Sequence, residues 1–153
     1  MSGITDNDKE HMKRCLELAA AAKEAGDIPV GCVLVTEDGK IVAEAAETLP
    51  STTSSDPVGH AEILAVRKAC GALNTMSLRG MTLYTTAEPC WMCSFVIRET
   101  GVSKVVYGTP TVNMGGQTSK YPILTDPDQV PTWSPPPEVV SGLMEEECKR
   151  IRA

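Results

Sequence analysis

Four residues stand out for the chemistry their types permit: His60 and Glu62 in "HAE", and Cys90 and Cys93 in "EPCWMC". Two thiols three positions apart on a helix project to one side. With an imidazole they make three protein ligands suited to Zn2+. A catalytic zinc site keeps its fourth position open for water, whereas a structural site closes it with a fourth ligand. Zinc held this way lowers the pKa of a bound water from 15.7 to about 7. Glu62, two positions beyond His60, is placed to carry protons between that water and a leaving group. A positioned carboxylate contributes on the order of 10² to 10⁴ in rate.

Each motif sits just after an expected helix start, where free N–H groups and partial positive charge favour thiolate over thiol. Two rival readings use fewer of these residues. A dithiol redox pair accounts for Cys90 and Cys93 but leaves His60 and Glu62 idle. A zinc staple without catalysis gives Glu62 no role and calls for a fourth ligand, Cys32 or Cys70.

The elements that must position these groups follow from periodicity and breakers. A helix is expected over 6–25, capped by Thr5 or Asp6, with Met12, Leu16, Ala19 and Ala22 on one face, His11 on the polar side and Gly26 ending the run. "IPVGCVLV" and "IVAEAA" flank the Asp-Gly turn of "EDGK" and read as a β-hairpin. The polar loop "LPSTTSSDPVG" leads into a helix over 57–70, with Asp56 as cap and Pro57 at its first position. "MTLYTT" is a strand, "EPCWMCSFVIRETG" a helix opening at Pro89 and closing at Gly101, and "KVVYG" another strand. Residues 109–137 are rich in Gly, Pro, Thr and Ser, and a stretch that long without periodicity is functional or disordered. "PEVVSG" and "LMEEECKRIR" close the chain as a strand and a short helix with Met144, Cys148 and Ile151 aligned. The order α-β-β-α-β-α-β-loop-β-α places a sheet between helices.

With 153 residues and no linker, the chain is expected to be one domain. Its polar N-terminus resembles no secretion signal, and no apolar run approaches the roughly 20 residues of a membrane span. A cytoplasmic location follows as the expectation, with the six Cys reduced or metal-bound rather than paired. The net charge of −6, with no Lys/Arg cluster, argues against a nucleic-acid partner, although a local basic patch remains compatible with it. The Lys13–Arg14 and Lys149–Arg150 pairs read as solvated helix faces.

The spacing H-x-E…P-C-x-x-C is the signature of zinc deaminases of nucleobases. On "IPVGCVLV", "DPVGHAEILAVRKAC" and "LYTTAEPCWMC" the chain resembles the cytidine-deaminase superfamily, in the branch holding tRNA adenosine deaminases, bacterial guanine deaminases and fungal-type cytosine deaminases. The likeness covers residues from about 8 to 108 and from 137 to the end. It implies a three-layer α/β/α sandwich with a central mixed five-stranded sheet, and residues 1–153 as a single zinc deaminase domain. It also implies Zn2+ on His60, Cys90 and Cys93, Glu62 as proton shuttle, backbone N–H groups near Ala61 or Cys90 on the substrate ring, and a homodimer or larger assembly.

The same resemblance frames the substrate. Relatives place an Asn at the end of the second strand, where this chain has Glu47. An ionised carboxylate accepts hydrogen bonds and cannot donate them, so Glu47 in the pocket would favour a ligand presenting N–H donors; the alternative is a solvated surface residue. Asn113 and Met114 fall near pocket positions of relatives, core filling being the commoner use of a Met such as Met114. Trp133, in the Pro-stiffened stretch "DPDQVPTWSPPPE", covers a pocket or meets a neighbouring subunit, and Trp91 walls the site or packs inward. An acidic chain without a basic C-terminal extension points to a free nucleobase or related small aminated heterocycle, cytosine- or guanine-like, as the substrate. The alternatives are tRNA-specific adenosine-to-inosine deamination and a non-catalytic zinc-stapled binding module.

Overall fold

The computed structural model describes residues 3–48, 55–128 and 130–153, so part of the expected loop, 49–54, lies outside the described residues. Helix α1, Asp6–Glu24, starts with a capping box: Asp8 N–H donates to the Thr5 hydroxyl at 3.1 Å and Thr5 N–H to the Asp8 carboxylate at 2.9 Å. Strands β1 (Gly31–Val35) and β2 (Ile41–Ala46) form the expected antiparallel hairpin. Helix α2 spans Ala61–Leu73, β3 Thr82–Ala87, α3 Trp91–Thr100, β4 Lys104–Thr109, β5 Glu138–Ser141 and α4 Glu145–Arg152.

The sheet runs β2-β1-β3-β4-β5. β1 is antiparallel to β2 and β3, while β3–β4 and β4–β5 are parallel, so the sheet is mixed as expected. Its two faces are built by the alternation of strand side chains. Cys32, Leu34, Leu83 and Val105 pack with Ala61, Ala65, Ala69 and Ile97 of α2 and α3. Val33, Val35, Tyr84 and Val106 pack with Met12 and Cys15 of α1 and Cys148 of α4. The result is the three-layer α/β/α sandwich. Among the described residues, no helix is long and apolar enough to cross a membrane.

Two local expectations are corrected. The helix expected from Pro57 begins four residues later, at Ala61. Asp56 instead accepts the Val58 N–H at 3.0 Å in a turn, and the Gly59 carbonyl takes the Thr48 N–H at 3.0 Å. Gly59 passes so close to Thr48 that a Cβ there would collide with its hydroxyl. His60 is therefore the N-cap, in extended conformation, and its side chain leaves the helix axis. His11 is half-buried rather than fully solvated on the polar side of α1: its ring lies 4.8 Å from that of Tyr84, and its Nδ1 is enclosed with no partner. The neighbouring Asp8 carboxylate accepts the Tyr84 hydroxyl at 2.6 Å, so His11 stands beside a buried polar pair.

The long stretch before β5 contains no helix or strand among its described residues, yet it is ordered by two buried charges. Arg98 of α3 donates to the carbonyls of Ile123 and Asp126 at 2.9 Å each and of Ser134 at 3.3 Å. Glu88, before α3, receives amide donors from the nearer part of the same stretch. Neither partner set has a sequence period, which is why the segment reads as irregular.

Candidate active site

The parallel strand β3 delivers Cys90 to the start of α3, where it is the N-cap, and α2 begins alongside with His60 as its N-cap. Cys93, three residues on, lies on the same side as Cys90. His60 Nδ1 stands 3.6 Å from Cys90 Sγ and 3.5 Å from Cys93 Sγ, and the two sulfurs are 3.7 Å apart. Tetrahedral Zn2+ with bonds of about 2.3 Å to sulfur and about 2.05 Å to nitrogen requires edges of about 3.8 Å and about 3.6 Å. The trio therefore fits a zinc ion by chemistry and spacing. Among the described residues it is the group of His, Cys and carboxylate side chains close enough to hold a metal, and it includes neither Cys32 nor Cys70. The fourth-ligand expectation of the staple reading finds no support in that geometry.

The protonation pattern agrees with a cation site. The Cys93 hydrogen bond outweighs burial and, with His60, pushes Cys90 down to about 4, a thiolate at neutral pH. The Cys93 thiol is pushed up because it gives its hydrogen bond to Cys90 and is buried. The hydrogen bond to Cys90 lifts His60 to about 9 against the effect of burial.

Glu62 sits in the first turn of α2, 4% exposed, with Oε1 buried and without a hydrogen-bond partner. Burial, then the like charges of Glu47 and Cys90, push its carboxyl up to about 8. A proton-holding acid with a free oxygen is what general acid–base work needs. His60, Glu62 and Cys90 share a cavity of about 140 Å³ with Glu47, Glu88, Thr111 and Arg152, among others.

Of the other expected residues, Glu47 is in the cavity wall, 5% exposed rather than solvated. Its Oε1 accepts the Ala61 N–H at 2.8 Å, a carboxylate on a helix N-terminus. Ala61 N–H, one of the amides expected near a substrate ring, is here engaged by Glu47. Asn113 lines a different groove, with Trp91, Lys120 and Tyr121. Met114 is 47% exposed, neither core filling nor cavity wall. Trp133 lies on the outer side of α3, over Arg98 and edge-on to Phe95, donating its indole N–H to Glu99. It does not reach the cavity, because Arg98 anchors its loop elsewhere. Trp91 donates to Ser119 at 2.9 Å and meets Tyr121 edge-on. Sequence reasoning missed Glu88, Thr111 and Arg152. The signal for Glu88 was a charge at the end of an otherwise uncharged strand, "TLYTTAEPC".

Fold and site together define a zinc hydrolase with one metal, two sulfur ligands and an adjacent carboxyl. Residues 5–109 match the family described as the cytidine and deoxycytidylate deaminase zinc-binding region, and the chain belongs to that family. It is a zinc-dependent hydrolytic deaminase. It is 37% identical over 144 residues to the tRNA-specific adenosine deaminase of Aquifex aeolicus, covering 92% of this chain and 93% of that one. To the tRNA-specific adenosine deaminase of Bacillus subtilis it is 38% identical over 141 residues, covering 92% and 83%. A structure from a study of A-to-I editing by tRNA:A34 deaminases superimposes with a TM-score of 0.83 at 34% identity, covering 93% of this chain and 98% of that one. These relatives overturn the expectation of a free nucleobase or small heterocycle as the substrate. Net charge averages the whole surface and says nothing of the charges around one cavity, so it was a weak guide to the substrate.

Proposed function

We propose that the protein deaminates adenosine in tRNA, at the wobble position, to inosine. The observation that carries this reading is the similarity, over nearly the full length of both chains, to two tRNA-specific adenosine deaminases. A local feature supports it. Arg152, near the end of α4, lines the catalytic cavity, and Lys149 and Arg152 line an adjoining groove with Thr109, Pro110, Thr111 and Val112. Arg152 in the cavity wall, with Lys149 (paired with Glu145) in the adjoining groove, suits a phosphate beside an inserted nucleotide.

In this reading His60, Cys90 and Cys93 hold the zinc, which supplies the Lewis acidity that makes water nucleophilic near neutral pH. Glu62 takes a proton at its free Oε1 and passes protons to the ring and to the departing amine. Water oxygen ends on C6, the C6–N6 bond breaks and ammonia leaves. Glu47, with one oxygen fixed by Ala61 N–H, offers the other as acceptor to a donor of the nucleoside, a ribose hydroxyl being the one that chemistry supplies. We read residues 1–153 as one zinc deaminase domain, acting as a homodimer in the cytoplasm.

The test is inosine formation by zinc-loaded protein on an anticodon stem-loop RNA with adenosine at the wobble position, beside free adenosine, cytosine and guanine. Conversion of the RNA is expected. Conversion of a free base with the RNA left intact would overturn the proposal.

A further inference from the structure

Glu88 is 1% exposed and has no part in the metal or proton chemistry assigned above. Its carboxylate is nonetheless fully engaged. Oε1 accepts from the Thr111 amide at 3.0 Å and the Thr118 hydroxyl at 2.7 Å. Oε2 accepts from the amides of Gln117 and Thr118 at 2.8 and 2.7 Å. The backbone joins in, since the Glu88 N–H donates to the Thr109 carbonyl at 2.8 Å and its carbonyl accepts the Thr111 hydroxyl at 2.6 Å. The seam continues through the metal-ligand turn: Gly116 N–H donates to the Pro89 carbonyl at 2.8 Å, and Cys90 bridges Gly115.

Burying an ionised carboxylate is unfavourable unless its lone pairs are met, and here four donors meet them. The loop is shaped to reach it. A Cβ on Gly115 would collide with the carboxylate atoms, so glycine is what lets the chain close over Glu88. One end of this seam is the ligand Cys90, and the other is Thr111, which shares the cavity wall with His60 and Glu62.

We propose that Glu88 is a positioning residue for the deamination: it locks residues 111–118 against the Cys90 turn and thereby sets where the Thr111 wall stands relative to Glu62. The inference rests on the zinc deaminase site, not on which nucleic acid or base enters it. Charge is essential, because an amide at this position would point its NH2 group at two of the four donors. Glu62 and His60 belong to α2 and its cap, outside the seam, so loosening it displaces the substrate wall and leaves proton transfer intact.

The experiment compares wild type, Glu88→Gln and the milder Thr118→Val, which removes one hydroxyl donor from an exposed residue. Hydrogen exchange of the 111–118 amides reads the lock without any substrate, and zinc content and steady-state kinetics on the wobble-adenosine stem-loop read its consequence. In Glu88→Gln, exchange is expected to quicken by about tenfold or more, since a buried hydrogen-bond set is left mismatched. Zinc content stays at the wild-type level, and KM rises about tenfold while kcat changes by less than about threefold, the pattern of lost binding rather than lost chemistry. Thr118→Val moves both readouts the same way by less, and decides the matter if Glu88→Gln fails to fold. Unchanged exchange over 111–118, or a lowered Tm with KM unmoved, overturns the proposal. Wild-type protein that leaves the RNA untouched sinks the tRNA reading alone, because the exchange measurement stands without it.

Discussion

Replacing Glu62 with Gln should make the metal-free protein more stable while removing its activity. The folded environment moves this carboxyl from an ordinary 4.5 to about 8, chiefly by burial and then by the negative charge of Glu47. That difference makes the ionised form about 5 kcal/mol less favourable when folded than when unfolded. A folded pKa above the unfolded one means that no stability is forfeited below about pH 4 and that the loss grows until the folded group itself ionises. At pH 7 the loss is about 3 kcal/mol, and above pH 8 it approaches about 5 kcal/mol. A side-chain amide does not titrate, so the Glu62→Gln variant escapes this loss at similar volume. Urea unfolding in the presence of a chelator, at pH 5, 7 and 8.5, measures the gap between variant and wild type. At pH 7 it should correspond to a Tm higher by about 6–12 °C. Zinc beside Glu62 favours the ionised form, so loading the metal should narrow the gap. In zinc-loaded protein the same variant should lose on the order of 10² to 10⁴ in kcat. A gap that is absent, or that shrinks as pH rises, would refute the electrostatic reasoning, and activity within tenfold of wild type would refute the proton-shuttle role.

Single replacements of His60, Cys90 or Cys93 by Ala should each strip most of the zinc, measured by elemental analysis after gel filtration, whereas Cys32→Ala should retain it. Glu47→Gln should keep its zinc but raise KM for the nucleoside by about tenfold, because one well-placed hydrogen bond to a charged group contributes about 1.5 kcal/mol or more; unchanged kinetics would remove Glu47 from substrate recognition. Arg98→Met should lower stability in urea by about 2 kcal/mol with zinc content unaffected, since it removes the donor to the part-buried Ile123 carbonyl and the buried Leu124 carbonyl.

Much of the fold was legible in the residues themselves. The capping residue at Thr5, the Asp-Gly turn between β1 and β2, and the short β-branched and aromatic run in "KVVYG" are local signals, and each produced its element. The start of α2 was misread because Asp56 and Pro57 make a persuasive helix opening. The contact between Gly59 and Thr48, which delays the helix, joins residues on opposite sides of a loop and leaves no trace in either segment. His11 was misplaced for the same kind of reason, since its environment is set by Tyr84 of β3.

The site divides along the same line. His60, Glu62, Cys90 and Cys93 could be named from the chain alone because metal coordination and proton transfer admit few residue types, and because both motifs stand at helix starts. What only the folded molecule decided was the wall around them: Glu47 turned inward onto Ala61 N–H, Arg152 brought from the C-terminal helix, and Thr111 held by Glu88. Trp133 was carried away by Arg98. Those placements depend on hydrogen bonds between segments far apart along the chain, which have no period and no fixed spacing. Coordination chemistry restricts residue identity strongly enough to show in a linear string, whereas the path of a loop is set by partners that only tertiary packing supplies.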